Sequence, residues 1–475
     1  MSRSKFYITS AIPYVNAAPH IGHALEFIQA DTIARYRKIS GDDVLFLCGS
    51  DENAIKNVQA AETAGKPVQE FIDTNAKRFE ELAEKLHVEF DVFQKGSDAK
   101  HHSSSQKLWQ LCFAEGDIYK KSYKGHYCVG CEEFKSPADL NENGECPEHP
   151  GKKLEEVEEE NYFFKLSKYQ DELLKLFESE TYQIVPDFRK NEVLAFIKSG
   201  LQDFSISRSS QRAKNWGVPV PNDPTQRMYV WFDALNIYQS GIGFDADEEN
   251  YKKWWPADLH VVGKGIIRFH AVYWPAILLS AKLQLPKKLF VHEYFTVNGQ
   301  KMSKTLGNVI DPFEMIEKYG ADALRYYCLA KISPFQDGDF SEEKLKEAYN
   351  ADLANGLGNL IARVAKLAET HSLSCHSGEG QNQDPEVLKF LEKYEFNNAL
   401  SVIWSWIQAA DQKINQEKPW ELDEEKAKPV LEELVTTIQK VAQNLQPFLP
   451  DTSEKILKQF IGEIKSQQSL FPRIL

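Results

Sequence analysis

Residues 5–51 restrict the fold more than any other stretch of the chain. Residues 5–13 alternate as a strand and stop at a proline, 14–19 form a loop, 20–40 carry a helical pattern that Gly41 ends, and 44–48 read as a second strand running into Gly49-Ser50-Asp51. Such a strand–loop–helix–strand unit opens a doubly wound α/β sheet. Ligands of these sheets bind at the carboxyl ends of the strands, where this pattern puts Asp51.

The chain has 475 residues, too many for one core. Between about 116 and 150, Gly, Pro, Asn and Cys dominate and periodicity is lost, so an insertion is expected there. Helical patterning returns from about 166 and again over 190–204, and 216–221 is a proline-fixed connector. A helix from about 231, a buried strand over 259–263, a helix over 269–283 and a strand over 288–297 restore the α/β pattern, and from about 341 the periodicity is helical. The expected fold is therefore α/β: a split, doubly wound, Rossmann-like parallel sheet with a zinc-knuckle insertion, followed by an all-α helical-bundle domain.

A net charge of −14 argues against non-specific nucleic-acid binding and leaves room for a specific RNA met by local basic patches. The charge is uneven: acidic over 155–160, basic around Arg208, Arg212 and Lys214. The longest apolar stretch, 259–283, is broken by Lys264, Arg268 and His270 and makes a poor membrane span. No secretory leader opens the chain, and its seven cysteines read as reduced thiols or metal ligands, so a cytoplasmic protein is expected.

His20 and His23, three apart at the expected helix start, put two imidazoles on one side of the first turn, beside the free N–H groups and positive dipole end of the helix. Gly22 leaves room for a nucleotide to approach the backbone. Two donors there can stabilise charge on an α-phosphate during in-line attack. Far downstream, Lys301 and Lys304 flank Met302-Ser303 after the turn signal Asn298-Gly299, and two lysines suit the β- and γ-phosphates of ATP. Together the runs point to nucleotidyl transfer from ATP to a small acid, with Mg²⁺-complexed pyrophosphate leaving. His20, His23, Lys301 and Lys304 are the candidate catalytic and ATP-binding residues, with Gly22 at the nucleotide.

Cys128-Val129-Gly130-Cys131 and Cys146-Pro147-Glu148-His149, with 14 residues between the pairs, offer three thiolates and an imidazole, the donors of a closed zinc site. The segment between has no obvious core, so one structural Zn²⁺ at Cys128, Cys131, Cys146 and His149 would supply its folding energy. His126 is a rival fourth ligand. Cys48, Cys112, Cys328 and Cys375 are expected as buried thiols.

The whole chain resembles the class I aminoacyl-tRNA synthetases, and among them the methionyl family. The resemblance rests on Ala11-Ile12-Pro13-Tyr14, Pro19-His20-Ile21-Gly22-His23, Val230-Trp231-Phe232-Asp233-Ala234-Leu235, the run from Arg268 to Pro275, and the run from Val297 to Lys304. It implies activation of L-methionine by ATP to methionyl-adenylate, then transfer to the 3′ end of tRNA(Met). It also implies that Ile12, Tyr14, Asp51, Trp231, Ala234, Leu235, Tyr238, Phe269 and His270 line the amino-acid site. Asp51 is a natural partner for an ammonium. Trp231, Ala234, Leu235 and Tyr238 have the spacing of one helix face, and Phe269/Tyr273 and His270/Trp274 pair at i, i+4, an aromatic cup suited to a polarisable sulfur. Asn359 and Arg363 share a helix face and Trp420 follows Pro419; an amide, a guanidinium and an exposed indole suit single-stranded base reading, and the resemblance matches them to anticodon positions.

On this reading the chain divides into a first catalytic half (1–115), a connective insertion (116–228, with the knuckle at 126–150), a second catalytic half (229–300), the Lys301–Lys304 loop with a stem-contact region (301–345) and a helical anticodon-binding domain (346–475). Three departures from the family stand out. Thr305 replaces the usual Ser. Gly265 stands where an acidic residue is frequent, which removes a charge near Arg208 or on the ATP side. No oligonucleotide-binding extension follows the helical domain, so a monomer is expected. Two rival readings are another class I synthetase and a non-catalytic zinc and RNA-binding module. The first is disfavoured because the valyl, isoleucyl and leucyl enzymes carry a large editing insertion and the cysteinyl enzyme an open zinc site. The second is disfavoured by the intact histidines and lysines.

Overall fold

Six parallel strands form the main sheet, in the order Val92–Lys95 (β3), Asp43–Ser50 (β2), Lys5–Ser10 (β1), Leu259–Gly263, Lys288–His292 and Gln183–Val185. The structure, a computed structural model, describes residues 3–128, 133–135, 140–148, 151–297, 299–302, 307–375 and 383–474. The inner strands are apolar runs buried on both faces, as a covered parallel sheet requires. From β1 the chain winds outward through β2 to β3. It then returns to Leu259–Gly263 beside β1 and winds outward the other way, so strand order switches between these two neighbours and a crevice opens at their carboxyl ends. The helix α1 (Ile21–Ile39) follows β1 and lies over this edge, and Gly41 ends it at φ 98° as expected.

Three local expectations change. The acidic run 155–160, to which no element was assigned, lies in the strand Glu155–Phe164, paired antiparallel with Ile118–Cys128, with Glu155, Glu156, Glu158 and Glu160 exposed. Lys124 faces Glu158 in that ladder, Lys120 reaches Glu160 at 3.3 Å and Arg212 reaches Glu155 at 2.8 Å, so opposite charges offset the run. The helix expected from 231 is two short pieces, Val230–Ala234 and Ile237–Ser240, with tighter main-chain bonds at the break (Asn236 N–H to Asp233 O at 2.9 Å), where the Asn236 amide donates to Ser104 Oγ at 2.9 Å. The helix expected over 269–283 starts as a π turn, Phe269–Tyr273, before Trp274–Ser280. Tyr273 stacks on Phe204 (4.3 Å between centroids) and meets Phe269 edge-on at 5.2 Å, as the i, i+4 spacing implied, whereas Trp274 is buried in the core against Trp255 and stays outside the cup. Gln183–Val185, inside the expected insertion, supplies an edge strand of the main sheet.

Downstream of the sheet the chain is helical apart from short strands. Arg325 joins the two parts. It is fully buried and donates to the carbonyls of Phe448 (2.7 Å), Pro447 (3.0 Å) and Leu86 (3.1 Å), and pairs with Asp31 of α1 at 2.8 Å. Asp322, on the same helix, accepts the Thr452 N–H at 2.6 Å. Among the described residues no helix is long and apolar enough to cross a membrane.

Candidate functional site

The two signature runs meet at the first turn of α1. His20 caps this helix: its Nδ1 accepts the Gly22 N–H at 3.1 Å, and the Nδ1 of His23 accepts the His20 N–H at 3.1 Å. This is a reciprocal capping box made of imidazoles, with the rings stacked at 3.9 Å. A ring nitrogen that accepts from a main-chain N–H carries no proton, so each neutral ring holds its proton on Nε2. The edge of His23 rests on Phe79, 5.0 Å between centroids. A Cβ built on Gly22 would lie 3.6 Å from Met302 Cε, and the Ile21 N–H donates to Ile310 O at 3.1 Å. Chain on both sides of the 303–306 segment is thus docked on the helix start. Lys301 belongs to the short strand Gln300–Lys301; its side chain, like Lys304 as a whole, lies outside the described residues.

Glu26, one turn past His23, accepts the Ala11 N–H at 2.8 Å and contacts His292 Nε2 at 2.9 Å. It ties α1 to the ends of β1 and of Lys288–His292, across the end of Leu259–Gly263. The sequence reading did not single it out, although it shares the helical face of His20 and His23.

On the other side of β1, an isolated bridge pairs Tyr14 with Asp51, extending the β1–β2 alignment into the crevice. Asp51 is buried, its N–H donates to Pro13 O at 2.9 Å and its carbonyl accepts from Asn57 Nδ2 at 2.9 Å. Trp231 lies parallel to Phe269 at 3.7 Å and edge-on to Tyr14 at 6.2 Å. Ile12 and Ala234 sit beside this stack, the former half-buried, while Leu235 is buried in the core behind it. Tyr238 OH and His270 Nε2 are 2.8 Å apart, and His270 Nδ1 lies 3.0 Å from Ile266 O. A carbonyl only accepts, so Nδ1 carries the proton and Nε2 accepts from the phenol. Burial pushes the His270 imidazole down to about 4, holding it neutral, and raises Tyr238 well above its ordinary value. Behind them His260 Nδ1 meets Thr9 Oγ1 at 2.6 Å. All nine expected lining residues therefore converge on one region, Leu235 as backing.

A second carboxylate escaped the sequence reading. Asp233, buried, accepts from Asn53 Nδ2 at 2.7 Å; the same amide donates to Gly96 O at 2.8 Å, and His101 Nε2 is 3.5 Å from Asp233. This links the loop of Asp51 to the helix of Trp231.

The profile of the family described as "tRNA synthetases class I (M)" matches residues 6–365, and one described as "Anticodon-binding domain of tRNA ligase" matches 385–473. The methionine–tRNA ligase of Thermotoga maritima is 43% identical, over 97% of this chain and 76% of its own length; that of a Nostoc species is 41% identical over 96% and 89%. The structure of Mycobacterium tuberculosis methionyl-tRNA synthetase in complex with methionyl-adenylate superimposes with a TM-score of 0.91 at 36% identity, covering 99% of this chain and 100% of that one. This chain belongs to the methionyl-tRNA synthetase family.

In this member of the methionyl-tRNA synthetase family, the helical part brings Arg363 and Trp420 together. The guanidinium stands 5.9 Å from the indole centroid and donates to Asp411 at 2.8 Å and Asn415 at 2.6 Å. Trp420 is 49% exposed, which leaves its face open for stacking, and Asn359 is exposed one helical turn before Arg363. Of the expected zinc ligands, Cys128 and Cys146 are buried, whereas Cys131 and His149 lie outside the described residues. The rival His126 is exposed, unlike Cys128 two residues on along the same strand. A tight turn, in which the Asn141 side chain accepts the N–H groups of Asn143 (3.0 Å) and Glu145 (2.9 Å), leads into Cys146. Cys128 ends its strand and Cys146 follows a turn, two buried thiols of the kind a metal knuckle uses; among the described residues no group of three metal-ligating side chains gathers. Cys48, Cys112 and Cys328 are buried thiols and Cys375 is partly so.

Proposed function

We infer that the chain is a methionine–tRNA ligase: it joins L-methionine to ATP, releasing pyrophosphate, and passes the methionyl group from methionyl-adenylate to the 3′ end of tRNA(Met). The observation that carries the inference is the placement of Met302 over Gly22, where a side chain on the glycine would meet it, at the strand-order switch, one strand from Asp51 and the Trp231–Phe269 stack. A carboxylate oxygen of methionine bonds to the α-phosphorus while the bond to the β-phosphate oxygen breaks. No side-chain base is required, because the nucleophile is already ionised. The Nε2–H groups of His20 and His23 stabilise the charge gathering on the α-phosphate, and Lys301 and Lys304 hold the departing pyrophosphate with Mg²⁺. Asp51 binds the substrate ammonium, and Ile12, Tyr14, Trp231, Ala234, Phe269, Tyr238 and His270 enclose the thioether with Leu235 behind. In the second step a terminal ribose hydroxyl of the tRNA attacks the acyl carbon and AMP leaves. Asn359, Arg363 and Trp420 read the anticodon. Cys128, Cys131, Cys146 and His149 hold one Zn²⁺, which stabilises the knuckle and takes no part in the reaction. A cytoplasmic location suits this work.

Of the domain limits given above, those of the insertion take in too much, because Gln183–Val185 belongs to the main sheet. The deciding test is pyrophosphate exchange with each of the twenty amino acids, followed by charging of a tRNA(Met) transcript. Exchange with methionine alone is expected. Exchange driven by cysteine or valine instead would overturn the substrate, and tRNA binding without any exchange would favour a non-catalytic module.

A further inference from the structure

Gly265 carries no side chain, and the structure shows what lies over it. Arg208 is occupied elsewhere: it donates to Tyr127 OH at 2.9 Å and lies over the Tyr127 and Tyr229 rings. At Gly265 itself, the N–H donates to the Tyr294 hydroxyl at 2.6 Å, and an added Cβ would overlap that same oxygen. A Cβ on Gly263 would also press on the Tyr294 ring, at 2.8 Å from Cε1. The two glycines thus form a floor without side chains, and Tyr294 lies across it at the end of Leu259–Gly263, on the switch-point crevice. Glu26 and His292 place the start of α1, with His20 and His23, at the same edge.

The position of Tyr294 is built rather than incidental. Its N–H donates to Asp337 at 2.9 Å and its carbonyl accepts the Gly338 N–H at 3.0 Å. The preceding Glu293, buried, is held by Lys264 at 2.9 Å and by Arg189 Nε at 2.9 Å. The phenol accepts from Gly265 and keeps its own proton, for which the described residues show no acceptor. Burial pushes that phenol up to about 12, so it stays a donor at every working pH.

We propose that Tyr294 is a nucleotide-contacting residue of this chain, its hydroxyl donating to a ribose hydroxyl of ATP at the crevice edge that His20 and His23 share. The proposal rests on the ligase reading.

The test is methionine-dependent pyrophosphate exchange without tRNA, using ATP, 2′-deoxyATP and 3′-deoxyATP. One of the two analogues should show a kcat/KM roughly tenfold below that of ATP, the effect of one lost hydrogen bond. Tyr294→Phe should lower the ATP value about tenfold through KM, leave that analogue within about twofold, and leave the methionine KM unchanged. Gly265→Ala, whose Cβ displaces the hydroxyl, should reproduce the loss, with circular dichroism confirming that both variants fold. An ATP-to-analogue ratio that is the same in Tyr294→Phe as in the parent overturns the proposal. So does an equal loss with all three nucleotides, or a defect confined to the transfer step, which would put the contact on the tRNA terminus. If the parent enzyme shows no methionine-dependent exchange at all, the ligase reading itself fails.

Discussion

At the end of the cleft proposed for the amino acid, Tyr238 with His270 and Thr9 with His260 form two buried hydrogen-bonded pairs behind the Trp231–Phe269 stack. At the nucleotide end, the working groups are partly exposed: imidazoles on a helix start, a glycine floor, and a run of chain docked through Met302 and Ile310. The contrast separates two tasks. Choosing one amino acid calls for a fixed cavity whose polar groups are held in place by their neighbours, as Tyr238 and His270 hold each other. Releasing pyrophosphate calls for charge stabilisation that strengthens only as the bond breaks, at a place from which a product can leave.

That contrast can be broken experimentally. The largest effects belong to the charged contacts. His23→Ala should lower the exchange rate constant by about 10² to 10³ with little change in methionine KM, the amount typical of one lost oxyanion donor. Asp51→Ala should do the reverse, raising methionine KM by about 10² or more, because it strands a buried ammonium. Equal effects on both parameters in either variant would blur the division between the two ends. Next in size, Trp420→Ala and Arg363→Ala should reduce tRNA charging by about tenfold to a hundredfold while exchange stays within about twofold, since loss of base stacking costs about 1–3 kcal/mol. Smaller again, Tyr238→Phe should raise methionine KM about tenfold by freeing His270 Nε2.

A further effect is on stability rather than on rate: a pH dependence. An unfolded histidine titrates near 6.5 and His270 in the fold near 4. Between those values the unfolded chain takes up a proton that the native one refuses. The stability held above pH about 6.5 is therefore lost as pH falls toward 4, by roughly 3 kcal/mol for this group. His270→Gln should flatten that limb of a melting-temperature profile; an unchanged slope would refute the tautomer and burial assigned to the imidazole.

Sequence resolved the nucleotide end better in its elements and the amino-acid end better in its residues. The β1–α1–β2 unit was legible because Pro13, Gly41 and the apolar runs mark its limits locally. The cup residues were legible as a set, yet their helical spacing misdescribed the backbone: one helix breaks at Asn236, whose amide meets Ser104, far away in sequence, and after the π turn at Phe269 the indole of Trp274 lies in the core. The strand Glu155–Phe164 was hidden by its acidic run, whose partners Lys120 and Arg212 lie outside any local window. Tyr294 carried no pattern at all. Only the paired glycines at 263 and 265 hinted that something bulky occupied their place.

Arg325 has a consequence for how this molecule can change. Removing its guanidinium would strand three carbonyls and the carboxylate of Asp31 in the dry interior, with no gradual substitute available. The helical bundle and the helix α1, proposed above to serve the tRNA and the triphosphate, are therefore riveted together, so any inherited drift in the pose of one must be carried by the other.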